Sequence, residues 1–231
     1  MIKSLLLNIY RNVPLPVPIT SFVYSAIRQW VYHDRRTPLF DAAFLAVAAG
    51  TQGDYMEFGV FRGTSFIMAY KMAAKHRLDK NARFFAFDSF QGLPWSEGTV
   101  MTKGNYASPR SLFETLIRKA GVDTSRVVTI EGLYNETLTG KLKQDYQIRR
   151  AAVIHVDCDL YLSTKEALRF VEDIIGPGTI LIFDDWYSFR KDDEDIENLG
   201  ERRAFREWGM RDRFFEFHDI VNANKAFIMR E

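Results

Sequence analysis

The period of the apolar and polar positions changes repeatedly from residue 54 onward. Short runs rich in β-branched and aromatic residues alternate with longer stretches whose apolar residues recur every three or four positions. This alternation predicts a parallel sheet with helices on both faces, because parallel neighbours need a crossover connection. The predicted strands of this part are residues 55–58, 83–87, 126–130, 152–156 and 179–183.

Two helices between these strands are predicted from the residues at their ends. Residues 109–120 begin with a proline and are followed by Gly121, which is common at helix termini. Further on, Ser163 and Glu166 have the spacing of a capping box, which predicts that a helix begins there. The apolar stripe of this second helix ends at Gly176 and Pro177.

In the last part of the chain, the secondary-structure elements follow a different order. Residues 201–208 are predicted to form a helix, and two strand-like runs follow at residues 214–221 and 225–230. A short polar segment, residues 222–224, separates the two runs, so they are predicted to form an antiparallel hairpin. The complete fold is therefore predicted to be an α/β sheet, mostly parallel, that ends in two antiparallel strands.

Residues 1–50 are predicted to form an N-terminal helical extension of the same domain. The apolar run of the first ten residues is short and interrupted by Asn8, so it does not match a signal peptide. Pro14, Pro16 and Pro18 then form a stiff connector before a second helical segment near residues 21–32. The extension is interpreted as an arm or lid, and a dimer contact, a membrane-surface contact and simple packing on its own domain all remain open.

Composition narrows the class of protein. The 231 residues suit one domain, and 31 basic against 30 acidic residues give a net charge of +1, which does not favour nucleic acid as a partner. No apolar run approaches the roughly 20 residues of a membrane helix. Cys158 is the only cysteine, so no intrachain disulfide forms. The cysteine content fits the reducing cytoplasm best.

A glycine-rich turn follows the first predicted strand. Glu57, Gly59 and Gly63 have the spacing E-x-G-x-x-x-G, in which the glycines allow a sharp turn and a close approach to a ligand. The motif differs from the dinucleotide fingerprint, whose glycines face a pyrophosphate. The next strand ends at Asp88, an acid placed to hold the two hydroxyls of a ribose. The pattern favours a nucleoside ligand without a phosphate at this turn, although a plain strand-to-helix turn has the same glycine spacing.

Three acidic residues follow the fourth and fifth predicted strands. Asp157 ends one strand, and Asp184 and Asp185 end the next. Because the carboxyl ends of neighbouring parallel strands meet at one edge of a sheet, we expect the three carboxylates to converge. A set of oxygen ligands without a thiolate favours magnesium over zinc. Helix capping or loop formation by each aspartate alone is the simpler alternative.

Three strings of the sequence resemble one family. Residues 87–94 read FDSFQGLP, residues 157–164 read DCDLYLST and residues 184–186 read DDW. Together with the glycine turn, over about residues 54–189, they are similar to the macrocin, mycinamicin and novobiocin sugar O-methyltransferases. The resemblance implies a Rossmann-like class I methyltransferase domain over residues 51–231 with a mostly parallel seven-stranded sheet.

The same resemblance implies the activity and the site. It implies methyl transfer from S-adenosylmethionine to a sugar hydroxyl, with magnesium held by Asp157, Asp184 and Asp185. The residues that would hold the cofactor are Glu57, Gly59, Gly63, Thr64, Ser65, Asp88, Ser89, Glu131 and Gly132. Magnesium on the aspartates is expected to bind vicinal hydroxyls of a small-molecule or glycan acceptor and to lower the pKa of one of them.

The proton acceptor is left open by the sequence. Asp157 and Asp159 are the catalytic candidates, and Asp159 is one of several candidate bases. The histidines at positions 33, 76, 155 and 218 are further candidates for the same role, and His155 is interpreted as a packed core residue.

Two alternatives to methyl transfer also stand: a metal-dependent glycosyltransferase that uses Asp157 and Asp159, and a noncatalytic cofactor-binding protein. The acceptor and the oligomeric state, with a homodimer as one expectation, are undetermined.

Overall fold

The computed structural model describes residues 36–188, 198–219 and 224–230. The predicted helix at residues 21–32, the candidate His33 and the end of the predicted strand 214–221 lie outside these ranges. Within the described residues, no helix is long and apolar enough to cross a membrane.

One seven-stranded sheet runs through the domain, in the order β3-β2-β1-β4-β5-β7-β6. The strands are β1 Asp54–Phe58, β2 Phe84–Asp88, β3 Val127–Glu131, β4 Ala151–Val156, β5 Ile180–Phe183, β6 Phe214–Asp219 and β7 Lys225–Met229. Strands β1 to β5 pair in parallel, and β7 pairs antiparallel with both β5 and β6. The predicted parallel sheet with a terminal antiparallel hairpin is confirmed.

The helices connect and cover these strands. They are α1 Thr37–Ala48, α2 Thr64–Lys75, α3 Arg110–Lys119, α4 Tyr134–Thr137, α5 Gly140–Asp145, α6 Tyr161–Val171 and α7 Gly200–Glu207. The predicted start of α6 at Ser163 is wrong, because the helix already begins at Tyr161. There the backbone N–H of Tyr161 donates to Oε2 of Glu97 at 2.8 Å, so a carboxylate from a distant loop replaces the expected local cap.

Both faces of the sheet are packed. Tyr55, Phe84 and Val153 face a core that contains α1, α2 and α3, whereas Met56 and Phe85 face a second core with α6 and α7. Neighbouring side chains of one strand point to opposite faces, so each short strand contributes to both cores. This packing fixes the carboxyl ends of the strands, where the predicted site residues lie.

Helix α1 is an integral part of this packing. Its residues Leu39, Phe40 and Ala43 are completely buried, and the helix packs against α2 and β4. The described end of the predicted N-terminal extension therefore belongs to the core of the domain. Arg36, the residue directly before α1, lies at the carboxyl ends of the strands as a result.

Candidate active site

A cleft of about 390 Å³ lies at the carboxyl ends of β1, β2, β4 and β5. One wall is formed by the turn after β1, a second by the residues that follow β2 and β3, and a third by the ends of β4 and β5. A crevice at this edge of an open α/β sheet is the usual place for a ligand. Of the residues predicted to hold the cofactor, the cleft is lined by Gly59, Thr64, Ser65, Asp88, Ser89 and Gly132.

The turn after β1 depends on two glycines. Gly59 has a φ of 89°, and a Cβ atom there would lie 1.8 Å from the backbone oxygen of Asp157. Gly63 has a φ of 79°, and its Cβ would lie 2.9 Å from the ring of Phe113. The packing of α2 on α3 therefore requires a glycine at position 63.

Asp88 holds the same turn in place. Its Oδ2 accepts the backbone N–H groups of Val60 and Phe61, each at 2.8 Å, and its Oδ1 accepts that of Phe90 at 2.7 Å. Burial raises the pKa of Asp88, although these three N–H groups oppose the shift. The carboxylate lies at the predicted position beside the cleft and also shapes its wall.

Glu57 lies behind the wall of the cleft and is not among the residues that line it. Its side chain is completely buried, and polar groups beside it accommodate the carboxylate. Oε1 accepts the hydroxyl of Ser65 at 2.6 Å, and Oε2 accepts the hydroxyl of Tyr55. Glu131 also lies away from the cleft, with its side chain 46% exposed and 3.5 Å from Arg110.

The three predicted metal ligands converge. Ligand oxygens of Asp157, Asp184 and Asp185 all lie within 4.8 Å of one another. Burial and the negative charge of Asp184 raise the pKa of Asp157 well above its usual value, and the same two causes raise the pKa of Asp185. Carboxylates this close favour a bound cation, because a cation removes their repulsion.

Two resident positive groups face this aspartate cluster, which we define as Asp157, Asp184 and Asp185. Nη1 of Arg36 lies 2.8 Å from Oδ1 of Asp184. Burial opposes ionisation of Asp184, but the charge of Arg36 and a hydrogen bond from His155 lower its pKa well below the usual value. These two groups therefore favour the ionised form of Asp184.

His155 is more than the packed core residue that the sequence indicated. It is completely buried, with Nε2 3.3 Å from Oδ1 of Asp184 and Nδ1 3.7 Å from Oε2 of Glu57. Burial lowers the pKa of His155, but the hydrogen bond with Asp184 and the charges of Glu57 and Asp157 outweigh it and raise the pKa to about 10. The ring thus connects the buried Glu57 to the aspartate cluster.

Asp159, the candidate base, lines the cleft beside the cluster. Its φ of 62° is unusual for a residue other than glycine. Burial and the charge of Asp185 raise the pKa of Asp159 well above its usual value, and the two side chains share a hydrogen bond. The residue is only 8% exposed, and its left-handed backbone places the side chain at the cleft.

Two glutamates that the sequence analysis missed tie these loops together. Glu201 is completely buried, and it accepts the backbone N–H of Asp185 at 3.0 Å and that of Cys158 at 3.4 Å. Glu97 accepts the first N–H groups of two helices, from Tyr161 at 2.8 Å and from Gly200 at 2.6 Å. Neither glutamate belongs to a recognisable motif, so no local signal in the sequence marks them.

The open side of the cleft is less polar. Trp95 and Leu162 line it with 36% and 48% of their surfaces exposed. Tyr106 and Leu133 also contribute to the lining. Trp95 and Tyr106 come from the long irregular stretch after β2, and they give the cleft an aromatic wall.

Comparison with known proteins identifies the family. The family model for macrocin O-methyltransferase (TylF) matches residues 31–208. The 8-demethyl-8-(2,3-dimethoxy-alpha-L-rhamnosyl)-tetracenomycin-C 4'-O-methyltransferase of Streptomyces olivaceus is 29% identical, and the match covers 80% of this chain and 78% of the relative.

Solved structures of methyltransferases share the fold. The calicheamicin methyltransferase CalS11 has a TM-score of 0.73 at 22% identity, covering 98% of this chain and 90% of that chain. The O-methyltransferase NovP has a TM-score of 0.66 at 21% identity, covering 85% of this chain and 80% of that chain.

The family match excludes the glycosyltransferase alternative, since it includes the segment around Asp157 and Asp159 on which that alternative relied. The chain belongs to the macrocin O-methyltransferase family and is an O-methyltransferase.

Proposed function

We propose that this protein transfers the methyl group of S-adenosylmethionine to a hydroxyl group of a sugar or another vicinal diol, with the aid of magnesium. The observation that carries the proposal is the convergence of Asp157, Asp184 and Asp185 at the edge of a cleft that also contains the glycine turn. The names of the relatives support a sugar acceptor: one acts on a rhamnosyl group, and CalS11 is described as a TDP-rhamnose 3'-O-methyltransferase.

The cofactor half of the cleft is assigned to the residues after β1, β2 and β3. Gly59 brings the backbone close to the ligand, Asp88 and Ser89 are assigned to the ribose, and Gly132 to the neighbourhood of the adenine. S-adenosylmethionine supplies a sulfonium-bound methyl group that is open to attack by an oxygen nucleophile. Glu57 is assigned an indirect role here, because it holds Ser65 from behind through a hydrogen bond of 2.6 Å.

The donor set of the aspartate cluster fits magnesium. Its ligand atoms are carboxylate oxygens within 4.8 Å of one another, and burial and the negative charge of Asp184 raise the pKa of Asp157. Asp157, Asp184 and Asp185 would hold the ion, which supplies Lewis acidity toward a hydroxyl group.

The chain itself supplies position and a proton acceptor. Asp159 lies beside the cluster in the cleft, and a carboxylate with a raised pKa is a stronger base once it is ionised. We assign to it the removal of the proton from the acceptor hydroxyl. Trp95 and Leu162 form an apolar wall that excludes water and packs against the acceptor. Holding the nucleophile close to the methyl carbon accounts for much of the barrier reduction in such a displacement.

Calorimetric titration tests the cofactor and the reaction class together. S-adenosylhomocysteine is titrated into the purified full chain, once with magnesium and once with a chelator, and uridine diphosphate glucose serves as the control ligand. We expect micromolar binding of S-adenosylhomocysteine, equivalent to about 8 kcal/mol, and none of the nucleotide sugar. Absence of S-adenosylhomocysteine binding in both conditions would overturn the proposal.

A further inference from the structure

Arg36 places a permanent positive charge inside the aspartate cluster. Its Nη1 lies 2.8 Å from Oδ1 of Asp184 and 3.8 Å from Oδ2 of Asp157, with the side chain 17% exposed. A guanidinium group stays protonated at any pH at which the protein is folded. A positive group therefore already neutralises part of the cluster where the divalent cation would bind.

Three donors crowd one of the two carboxylate oxygens of Asp184. Besides Arg36, Oδ1 of Asp184 receives Nδ2 of Asn224 at 2.6 Å and faces Nε2 of His155 at 3.3 Å. A carboxylate oxygen has about two lone-pair directions. A new ligand at this oxygen therefore displaces one of the three donors.

Of the three donors, Arg36 is the one whose side chain faces the cleft. His155 is completely buried in β4, and Asn224 is 2% exposed. The side chain of Arg36 instead borders the cleft. Its backbone is held by α1, where Phe40 is completely buried and its ring packs edge-on against His155 at 5.1 Å. The guanidinium can therefore move into the cleft without unfolding the helix.

We propose that Arg36 is a resident counter-ion of the aspartate cluster, which competes with the divalent cation and so sets the affinity of the cluster for it. This inference rests on the metal site of the proposed function. In the cation-free protein, Arg36 balances the charge of Asp184 and Asp157. When a divalent cation binds, like-charge repulsion at a few ångströms drives the guanidinium away from Asp184.

Manganese binding to the full chain tests the competition directly. The dissociation constant is measured by electron paramagnetic resonance, without cofactor or acceptor, for the wild type and for Arg36→Gln, Arg36→Lys and Arg211→Gln. Arg211 is the matched control, since it carries the same charge, is 48% exposed and pairs with Asp212. We expect Arg36→Gln to bind manganese about tenfold more tightly, whereas Arg36→Lys and Arg211→Gln remain within about twofold of the wild type.

The cation-free Arg36→Gln protein is also expected to melt at a lower temperature than the wild type, with the difference shrinking when manganese is saturating. Unchanged or weaker manganese binding by this variant would overturn the proposal while leaving the metal site intact. If wild-type protein that binds S-adenosylhomocysteine failed to bind manganese, both the metal site and this inference would fall.

A second measurement uses the wild type alone and does not depend on the folding of a variant. Side-chain ¹⁵N resonances of arginine are recorded during titration with magnesium, with Arg36→Lys used for assignment. We expect the Arg36 guanidinium signals to shift as the cation saturates, since the group leaves Asp184. Signals that stay unchanged at saturating magnesium would contradict the displacement.

Discussion

A Cβ atom at Gly59 would lie 1.8 Å from the backbone oxygen of Asp157. The turn that borders the proposed cofactor site and the first residue of the aspartate cluster are therefore in direct backbone contact. The adjacent hydrogen bond from the N–H of Asp157 to the oxygen of Phe58, at 2.8 Å, keeps the two strands together at this point. Any side chain at Gly59 separates them.

Gly59→Ala is expected to lower the free energy of unfolding by about 3 kcal/mol or more, because backbone strain adds to the overlap. Gly121→Ala is the matched control: Gly121 has a φ of 79°, but a Cβ atom there would have nothing within 4 Å. That variant is expected to lose only about 1–2 kcal/mol. Urea denaturation measures both. Equal losses in the two variants would show that the contact with Asp157 is unimportant.

Asp157→Ala and Asp184→Ala are expected to abolish metal-dependent turnover while binding of S-adenosylhomocysteine largely survives. The reason is that both residues belong to the aspartate cluster, whereas the proposed cofactor half of the cleft lies at β1, β2 and β3. Asp212→Ala, with a side chain 87% exposed, serves as the control and should keep full activity. Full activity of either cluster variant in a metal-chelated assay would exclude the mechanism.

Glu57 and His155 are expected to stabilise the protein jointly, since Nδ1 of His155 lies 3.7 Å from Oε2 of Glu57 and both side chains are completely buried. A double-mutant cycle with Glu57→Gln and His155→Gln should give a coupling energy of about 1–3 kcal/mol. Chemical denaturation of the four proteins measures it. Additive effects would mean that the buried histidine does not link Glu57 to the cluster.

Glu97→Gln is expected to destabilise the protein by about 1–2 kcal/mol, because the carboxylate accepts N–H groups at the start of both α6 and α7. Thr139→Ala is the comparison, since among the described residues the hydroxyl of Thr139 accepts a single N–H, that of Leu142. It should lose no more than about 1 kcal/mol. A smaller loss of stability for Glu97→Gln than for Thr139→Ala would show that Glu97 does not cap both helices.

Trp95→Ala is expected to raise the KM for the acceptor about tenfold without changing the affinity for S-adenosylhomocysteine, since loss of a stacking aromatic costs roughly 1–2 kcal/mol. Phe215→Ala is the control, because Phe215 is also exposed, at 41%, but lies outside the cleft. Steady-state kinetics with a vicinal-diol acceptor checks the effect. An unchanged KM would show that Trp95 does not contact the acceptor.

Much of the site was predictable because it depends on strand ends. Once the sequence predicts β1, β4 and β5, parallel pairing brings Gly59, Asp157 and Asp184 to one edge. The start of α6 was mispredicted for a physical reason: Ser163 has the local spacing of a cap, but Glu97 supplies the contact from a distant loop. Distant contacts of this kind leave no local pattern.

The sequence by itself determined the order of the elements, the mostly parallel sheet and the group of aspartates, because periodicity and turn residues are local properties. Only the tertiary structure decided which side chains face the cleft and which lie behind it. Glu57 lies inside the sheet because Tyr55, Ser65 and His155 surround it. Arg36 reaches the aspartates because α1 packs on β4. Burial and charge at one point depend on residues that are far apart in the chain, so their balance emerges only when the chain is folded.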